Sequence, residues 1–239
     1  MKDAVSKLGA RINSYFGGEV IEHFRFGSII RGTSLPQAFE EEMDVDYLVV
    51  FTDRSLSPKT LVRKLMDFAD RMYPRSTVYQ SSPAVVIALS AVKLELVPAH
   101  RTLLGVLHSH RIPNSSATDW IGTKPLGFEQ KLVERNKECH HKLKAAIRLT
   151  KMWNAENNYV LSSYRLENIA VDTSYPFDSS LRDYFCRLMF DLPELELGEK
   201  WRVARLRAGK ARLSKALEYE KAGKLEDAEH ILDDLFGIE

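Results

Sequence analysis

The sequence predicts an α+β fold, with a mixed sheet in the first half of the chain and helices in the second half. Short apolar runs with the character of strands lie between residues 20 and 97. From residue 129 onward, apolar residues recur every three or four positions, as on the inner face of an amphipathic helix. Because the two kinds of element are segregated, the pattern favours a sheet core that carries a separate helical lobe.

The elements of the first half follow from apolar periodicity and from the residues that end each run. The run that contains Asp44 is almost continuously apolar, so both faces of this strand should be buried. Pro98 should end the last strand, because proline cannot donate a ladder hydrogen bond. We expect helices over Asp3–Phe16 and Ser57–Met72, a polar loop over Ser34–Glu42, and strands over Val20–Phe26, Asp44–Phe51, Thr77–Leu89 and Val92–Val97.

A connector separates the two halves. Residues His100–Gly127 are rich in Pro, Ser, Gly and Thr, which is typical of a long loop between domains. We therefore expect an α/β core over residues 1–110 and a helical lobe over residues 111–239, with a ligand-binding cleft between them. The expected helices of the lobe are Glu129–Asn154, Ser162–Val171, Ser179–Phe190, Glu194–Ala222 and Leu225–Phe236.

The composition is that of an ordinary globular protein. Of the 239 residues, 44% are hydrophobic and 28% are charged, and the formal net charge is +1. Because a strong basic excess is missing, long nucleic acid is not an expected partner, whereas a small anion needs only a local positive site. Cys139 and Cys186 do not have the spacing of a disulfide framework or a zinc site, so we expect reduced thiols and a cytoplasmic protein. We see no signal peptide and no apolar run as long as a membrane span, so no membrane contact is expected.

Asp44 and Asp46 lie two positions apart in the apolar strand. Residues i and i+2 of a strand point to the same face, so the two carboxylates should project side by side. Carboxylates this close repel each other unless a cation lies between them. Because Mg²⁺ prefers carboxylate and phosphate oxygens, the pair predicts a magnesium site for phosphate chemistry.

Glu95 is a third acid, in the alternating segment Val92–Val97. If this segment pairs with the strand of Asp44 and Asp46, the Glu95 carboxylate joins theirs and completes a site for two metal ions. The alternative, given equal weight, is that Glu95 is a surface acid on an edge strand.

A Gly27-Ser28 pair precedes the acidic strand, and Arg31 and Thr33 follow it closely. A Gly-Ser pair at the end of a strand is usually only a turn. Here, however, the segment combines a backbone that is free to approach phosphates with two hydroxyls and a guanidinium. These four residues are therefore candidate phosphate ligands, although the Gly-Lys-Ser/Thr ending of a Walker-type loop is missing.

Two segments of the helical half carry further candidates. Lys151 shares an apolar helix stripe with the residues four and eight positions before it, so its ammonium needs an anionic partner or must extend to solvent. Beside a phosphate site, a triphosphate is the favoured partner. The next helix begins with Ser162, Ser163 and Tyr164. Ser162 can be its N-cap and Tyr164 a core residue. Alternatively, Ser163 contacts a phosphate or sugar and Tyr164 stacks on a base.

Together these residues resemble a known family. The Gly27-Ser28 pair, Asp44-Val45-Asp46 and Glu95 resemble the nucleotidyltransferase superfamily of DNA polymerase beta type. The segments Arg148–Asn154 and Ser162–Glu167 narrow the resemblance to the bacterial branch similar to cyclic GMP–AMP synthase and DncV. These enzymes are second-messenger oligonucleotide or dinucleotide synthetases, and they usually have Asp at the position of Glu95.

The resemblance implies a polymerase-beta-like mixed sheet and an enzyme that uses Mg²⁺, with Mn²⁺ as an alternative ion. The enzyme would join nucleoside triphosphates into a cyclic or linear di- or trinucleotide and release pyrophosphate. The product would act on a downstream effector as a signal in bacterial defence against phage. The implied catalytic metal ligands are Asp44, Asp46 and Glu95, and the implied nucleotide-binding residues are Gly27, Ser28, Arg31, Thr33, Lys151, Ser163 and Tyr164.

Two alternatives remain open from the sequence. The nucleotidyl group can instead go to a tRNA end or to a protein hydroxyl, although the near-neutral charge argues against a tRNA acceptor. The chain can also be a nucleotide-binding regulator without catalysis, with Glu95 as the sign of lost chemistry. An activator ligand is compatible with each of these readings.

Overall fold

In a computed structural model, the protein is described over residues 2–36, 43–90, 92–102, 110–194 and 197–238. The chain forms two compact units, residues 1–130 and residues 131–239. Each unit has its own secondary structure, and the predicted segregation into a sheet and a set of helices is confirmed.

The first unit is built around a seven-stranded sheet with the order β1-β2-β5-β4-β3, and β6 and β7 extend it beside β5. The central strands β2 and β5 run parallel, whereas the other pairs are antiparallel. In chain order, the elements are α1 (Lys2–Phe16), β1 (Val20–Arg25), α2 (Gly27–Arg31), β2 (Met43–Phe51), α3 (Pro58–Met72), β3 (Thr77–Ser81), β4 (Ala84–Ala88), β5 (Val92–Arg101), β6 (His110–Pro113), β7 (Trp120–Thr123) and α4 (Pro125–Glu138), which crosses the division between the units.

The two faces of the sheet have different roles. Helices α1 and α3 bury their apolar stripes against one face, where Leu8, Leu61 and Phe68 pack with Val45 and Val49 of β2. Side chains alternate along β2, so the opposite face carries Asp44 and Asp46 together with Leu48 and Val50. These last two residues belong to a smaller apolar cluster with Ala84, Val97 and Ala99. Strand β2 is therefore buried on both faces along its apolar part, as predicted.

Two predictions about the strands of the first unit are wrong. The run Thr77–Leu89 is a hairpin, because Pro83 interrupts the ladder within the two-residue turn between β3 and β4. Pro98 does not end β5, which continues to Arg101. Pairing of β5 with β4 ends at Leu96, so the missing N–H of Pro98 leaves no broken bond on that edge.

The predicted connector between the halves is not a plain loop. His110–Pro113 and Trp120–Thr123 form β6 and β7, which extend the sheet beside β5. Because these strands pair with the sheet, the first compact unit extends to residue 130 rather than to 110. Residues 37–42 of the predicted loop Ser34–Glu42, and residues 103–109 of the connector, lie outside the described residues.

The second unit is helical. The helix predicted over Glu129–Asn154 is wrong, because it is two helices that are separated at Cys139–Lys142. His140 and His141 both have left-handed φ angles, of 50° and 61°, a conformation that ends helices and is usual for glycine. After α4, the helices are α5 (Leu143–Glu156), α6 (Ser163–Asp172), α7 (Leu181–Asp191), α8 (Lys200–Lys221) and α9 (Leu225–Phe236).

The caps and lengths of these helices agree with the sequence in most places. The Ser180 hydroxyl accepts a hydrogen bond from the Asp183 amide and forms a capping box at the start of α7. Helix α8 begins at Lys200, later than the predicted Glu194. Within the described part of the chain, none of the helices combines the length and the apolar character that a bilayer span requires.

Candidate active site

Strand pairing brings the three predicted acids to one face of the sheet. Strands β2 and β5 are parallel neighbours, with Asp46 opposite Glu95 and Asp44 opposite Lys93. Side chains at paired positions of neighbouring strands point to the same face. The expectation that the strand of Glu95 adjoins the acidic strand is therefore confirmed, and the edge-strand alternative is wrong because β5 lies between β2 and β4.

The environment of Glu95 favours its protonated form. Burial, and after it the negative charges of Asp46 and Asp44, raises the pKa of the Glu95 carboxyl to about 7. The nearby Lys93 ammonium acts in the opposite direction on this pKa. Asp44 itself is exposed, and Asp46 and Glu95 are half-buried, so a ligand from solvent can reach the group.

The raised pKa makes the stability of the protein without metal depend on pH. The folded protein holds the Glu95 proton between about pH 4.5 and 7, where the unfolded chain has lost it, so stability falls as the pH rises through this window. We expect the free energy of unfolding of Glu95→Gln to equal that of the native chain near pH 4.5. By pH 8 it should exceed the native value by roughly 1–2 kcal/mol, after allowance for solvent screening.

Urea denaturation in EDTA at several pH values measures this difference. Glu134→Gln, which removes an exposed carboxylate on α4, serves as the control for the loss of one acid. If the stabilities of the Glu95→Gln variant and the native chain run parallel over the whole pH range, the assigned environment of Glu95 is wrong.

Sequence reasoning missed Lys93. This residue is half-buried and lies two positions before Glu95, so both side chains point to the acidic face of the sheet. The sequence Val92-Lys93-Leu94-Glu95 already indicated that Lys93 and Glu95 share a face, because apolar and charged residues alternate along it. The site therefore includes a cation as well as three acids.

The carboxylates do not form a closed metal cage in this structure. Within the ranges that the structure describes, His, Cys, Asp and Glu side chains form no group of three that is close enough to hold a metal ion. The chemistry of the donors nevertheless fits a hard divalent cation, because it consists of carboxylate oxygens on adjacent strands. Burial is the main cause of the raised pKa of Glu95, and a bound cation would relieve the second cause, the repulsion from Asp46 and Asp44.

Gly27 lies directly against Asp46, and Ser28 follows it in the chain. The Phe26 N–H donates a hydrogen bond of 3.0 Å to the Asp46 carbonyl, which fixes the chain beside β2. The predicted Gly-Ser turn is the first turn of the short helix α2, and Gly27 has a left-handed φ of 82°. A Cβ at Gly27 would overlap Asp46 Oδ2 and lie 2.8 Å from Asp46 Cβ. Glycine is therefore required here by both conformation and space.

Arg31 and Thr33, which follow this segment, are both buried. Thr33 is fully buried, and its amide donates a hydrogen bond of 2.9 Å to the Ser28 carbonyl. The Arg31 guanidinium lies over the Phe128 ring, 5.5 Å from its centroid. Ser28 directly follows Gly27 and is half-buried, so solvent can reach it, whereas Arg31 and Thr33 are buried.

The second unit contains the remaining candidates. Lys151 is buried, as its apolar stripe predicted, and its Nζ lies 2.6 Å from Glu167 Oε1. Ser162 caps α6 by accepting a hydrogen bond from the Arg165 amide, which confirms its predicted role as the N-cap. Tyr164 is 53% exposed, so the interpretation that Tyr164 is a core residue is wrong. Ser163, in the same turn, is exposed as well.

Comparison with known proteins identifies the family. Residues 1–136 match the model of the Second Messenger Oligonucleotide or Dinucleotide Synthetase domain, SMODS. The chain belongs to the SMODS family. The resemblance inferred from the motifs is confirmed, and so is the prediction of a nucleotidyltransferase enzyme of the second-messenger synthetase class.

Solved structures extend the likeness of this SMODS protein over the whole chain. CdnC of E. coli MS115-1, solved with ATP, matches with a TM-score of 0.76 and 14% identity, and the match covers 99% of this chain and 89% of CdnC. The cyclic AMP–GMP synthase DncV of Vibrio cholerae, solved with nonhydrolysable GTP, matches with a TM-score of 0.70 and 14% identity over 90% of this chain and 68% of DncV. The predicted polymerase-beta-like α+β fold is confirmed.

A curated relative shares part of the SMODS chain. Over 106 residues, the chain is 27% identical to the CCA-adding enzyme of Pyrobaculum neutrophilum, a match that covers 42% of this chain. The matched segment spans 25% of the length of that enzyme.

Proposed function

We propose that this SMODS protein is a magnesium-dependent nucleotidyltransferase that joins nucleoside triphosphates into a cyclic or linear di- or trinucleotide. The observation that carries the proposal is the pairing of Asp46 with Glu95 on adjacent parallel strands, with Asp44 on the same face. Membership of a family of second-messenger synthetases supports this class of product. The similar CdnC and DncV structures hold ATP and a GTP analogue, which supports nucleoside triphosphates as substrates.

Asp44, Asp46 and Glu95 are the proposed metal ligands. Bound Mg²⁺, or Mn²⁺ in its place, supplies charge neutralisation for the triphosphate and for the attacking and leaving oxygens. In this proposal, Glu95 also accepts the proton of the attacking sugar hydroxyl. The hydroxyl oxygen forms a bond to the α-phosphorus, the bond between this phosphorus and the bridging oxygen breaks, and pyrophosphate leaves.

The other residues bind and orient the nucleotide in this proposal. Ser28 contacts the phosphates beside Asp46, and Gly27 leaves the space that the Asp46 carboxylate occupies. The buried Arg31 adds positive charge near this segment, and the buried Thr33 donates a hydrogen bond from its amide to the Ser28 carbonyl.

The helical unit is proposed to contribute Lys151 and Ser163 to the distal phosphates and Tyr164 to the base. The exposure of Ser163 and Tyr164 supports their availability to a ligand. Stacking on an exposed tyrosine accepts any base, so it holds the nucleotide without deciding which base is chosen. The domain roles predicted from the sequence, a catalytic core and a helical lobe that completes the nucleotide cleft, are part of this proposal.

The proposal includes a biological role for the product. Family membership supports a product that acts as a second messenger on a downstream effector. We place this signalling in the bacterial cytoplasm and in defence against phage, as the resemblance implies.

Transfer to a tRNA end is the second candidate function. The 27% identity over 106 residues to a relative that is named a CCA-adding enzyme favours it. The near-neutral net charge of +1 weighs against it, because a large polyanionic acceptor is normally bound by excess positive charge.

Incubation with the four labelled nucleoside triphosphates and Mg²⁺ tests the proposal. We expect a phosphatase-resistant di- or trinucleotide that disappears in EDTA and returns when Mg²⁺ or Mn²⁺ is added. The Asp44→Ala, Asp46→Ala double variant is the control for contaminating enzymes. Label transferred to added tRNA, without a small resistant product, would instead establish the second candidate. Triphosphate binding without any transfer would leave a nucleotide-binding regulator.

A further inference from the structure

The turn between α5 and α6 leads directly into the proposed nucleotide contacts. Asn158 and Tyr159 in this turn have left-handed φ angles of 60° and 53°. Glycine adopts this conformation readily and asparagine tolerates it, but it is unfavourable for Tyr159, so other interactions must hold the turn. Ser163 and Tyr164 follow within the first turn of α6, and any change in the path of the chain here moves both of them.

Asn154 holds the chain at the exit from this turn. Its Nδ2 donates a hydrogen bond of 2.8 Å to the Leu161 carbonyl, and its Oδ1 accepts one of 3.0 Å from the Leu161 amide. Both residues are buried, with 1% and 2% of their surface exposed. One side chain therefore satisfies both backbone groups of Leu161, which precedes the N-cap of α6, and fixes the direction in which the helix begins.

A second polar contact holds α6 one turn further along. Lys151 lies three residues before Asn154, so the two side chains share one face of α5. The Lys151 ammonium lies 2.6 Å from the carboxylate of Glu167, four residues after Ser163. Asn154 and Lys151 thus hold α6 at two points on either side of Ser163 and Tyr164.

We infer that Asn154 is a positioning residue for nucleotide binding, acting through Leu161 on the placement of Ser163 and Tyr164. The inference rests on the proposed function, because it requires these two residues to contact the triphosphate and the base. Contacts with distal phosphates and with a base are made in both the bound state and the transition state. Loss of their alignment should therefore raise KM and leave kcat nearly unchanged.

Asn157, the C-cap residue of the same helix, provides a control. It is also buried, and its Nδ2 donates a hydrogen bond of 2.8 Å to a backbone carbonyl. That carbonyl belongs to Trp153 of α5 itself, so this bond does not reach α6. Asn157→Ala removes one buried side-chain-to-backbone hydrogen bond, whereas Asn154→Ala removes two, so it serves as the control for the loss of a buried amide that does not hold α6.

Steady-state kinetics of product formation compare the native chain with Asn154→Ala, Asn154→Asp and Asn157→Ala, with thermal melting of each. We expect Asn154→Ala to raise KM for the triphosphate about tenfold with kcat within about a factor of two. Asn157→Ala should keep the native KM even where its melting temperature falls. Asn154→Asp keeps the acceptor for the Leu161 amide, so its KM should lie between those of the native chain and Asn154→Ala.

Equal KM values for Asn154→Ala and Asn157→Ala overturn the inference, and so does a fall in kcat without a rise in KM. Should Asn154→Ala fail to fold, the Asn154→Asp variant decides, with a raised KM supporting the inference and a native KM overturning it. Failure of the proposed function is distinguishable, because the native chain itself then yields no small product, and the inference falls with it.

Discussion

Gly27→Ala is expected to lower product formation by at least about a hundredfold while the sheet stays folded. The added Cβ would overlap Oδ2 of Asp46, so either this carboxylate or the start of α2 must move by more than an ångström. A displacement of that size separates Asp46 from Glu95, with which it shares the proposed metal. The steady-state rate in the triphosphate assay measures the loss, and circular dichroism confirms the fold.

Two other glycines separate the causes of this effect. Gly17 also has a left-handed φ, of 51°, but a Cβ there meets nothing within 4 Å, so Gly17→Ala reports backbone strain alone. Gly122 has open space around it and no left-handed φ, so Gly122→Ala reports the general effect of the substitution. Both variants should retain most of the native rate. A Gly27→Ala enzyme with near-native activity would contradict the assigned position of the Asp46 carboxylate.

Glu167→Ala is expected to lower the free energy of unfolding by roughly 3–5 kcal/mol. Glu167 is fully buried, and its ion-pair partner Lys151 is 4% exposed, so the substitution deprives a buried ammonium of its carboxylate. Urea denaturation followed by circular dichroism measures the change. Asp172→Ala, which removes an exposed ion pair with Lys131 in the same unit, should cost no more than about 1 kcal/mol.

A double substitution separates the lost charge pair from the lost volume. Replacing both buried partners with apolar residues, as in Lys151→Met with Glu167→Met, is expected to recover most of the stability, because no buried charge remains. The same double variant should bind triphosphate more weakly than the native chain, because the proposed phosphate contact of Lys151 is gone. If the double variant is as unstable as Glu167→Ala, the ion pair is not the source of the instability.

The acidic site could be predicted from sequence because its determinants are local. The spacing of Asp44 and Asp46 fixes a shared face once the segment is a strand, and alternation does the same for Lys93 and Glu95. The pairing of the two strands was a hypothesis that the structure confirms. What the sequence could not provide is the environment of Glu95, since its burial depends on strands on both sides.

The features that the sequence did not reveal have physical causes of a different kind. Left-handed His140 and His141 break a helix that their residue types do not mark, because this conformation is usually signalled by glycine. The inward positions of Arg31 and Thr33 depend on the packing of α2 rather than on their own chemistry. The partner of Lys151 is far away in sequence, and its signal was an acid, Glu167, at a helix position among apolar neighbours.

The parallel pairing of β2 and β5 also determines when the site can exist during folding. The chain must leave β2, pass through α3 and complete the β3–β4 hairpin before β5 can join its two neighbours. A slip of one residue in this register would present Leu94 or Leu96 to Asp46 in place of Glu95. The pairing of Asp46 with Glu95, and with it the proposed metal site, is therefore completed late in folding, after the non-local strand contacts have formed.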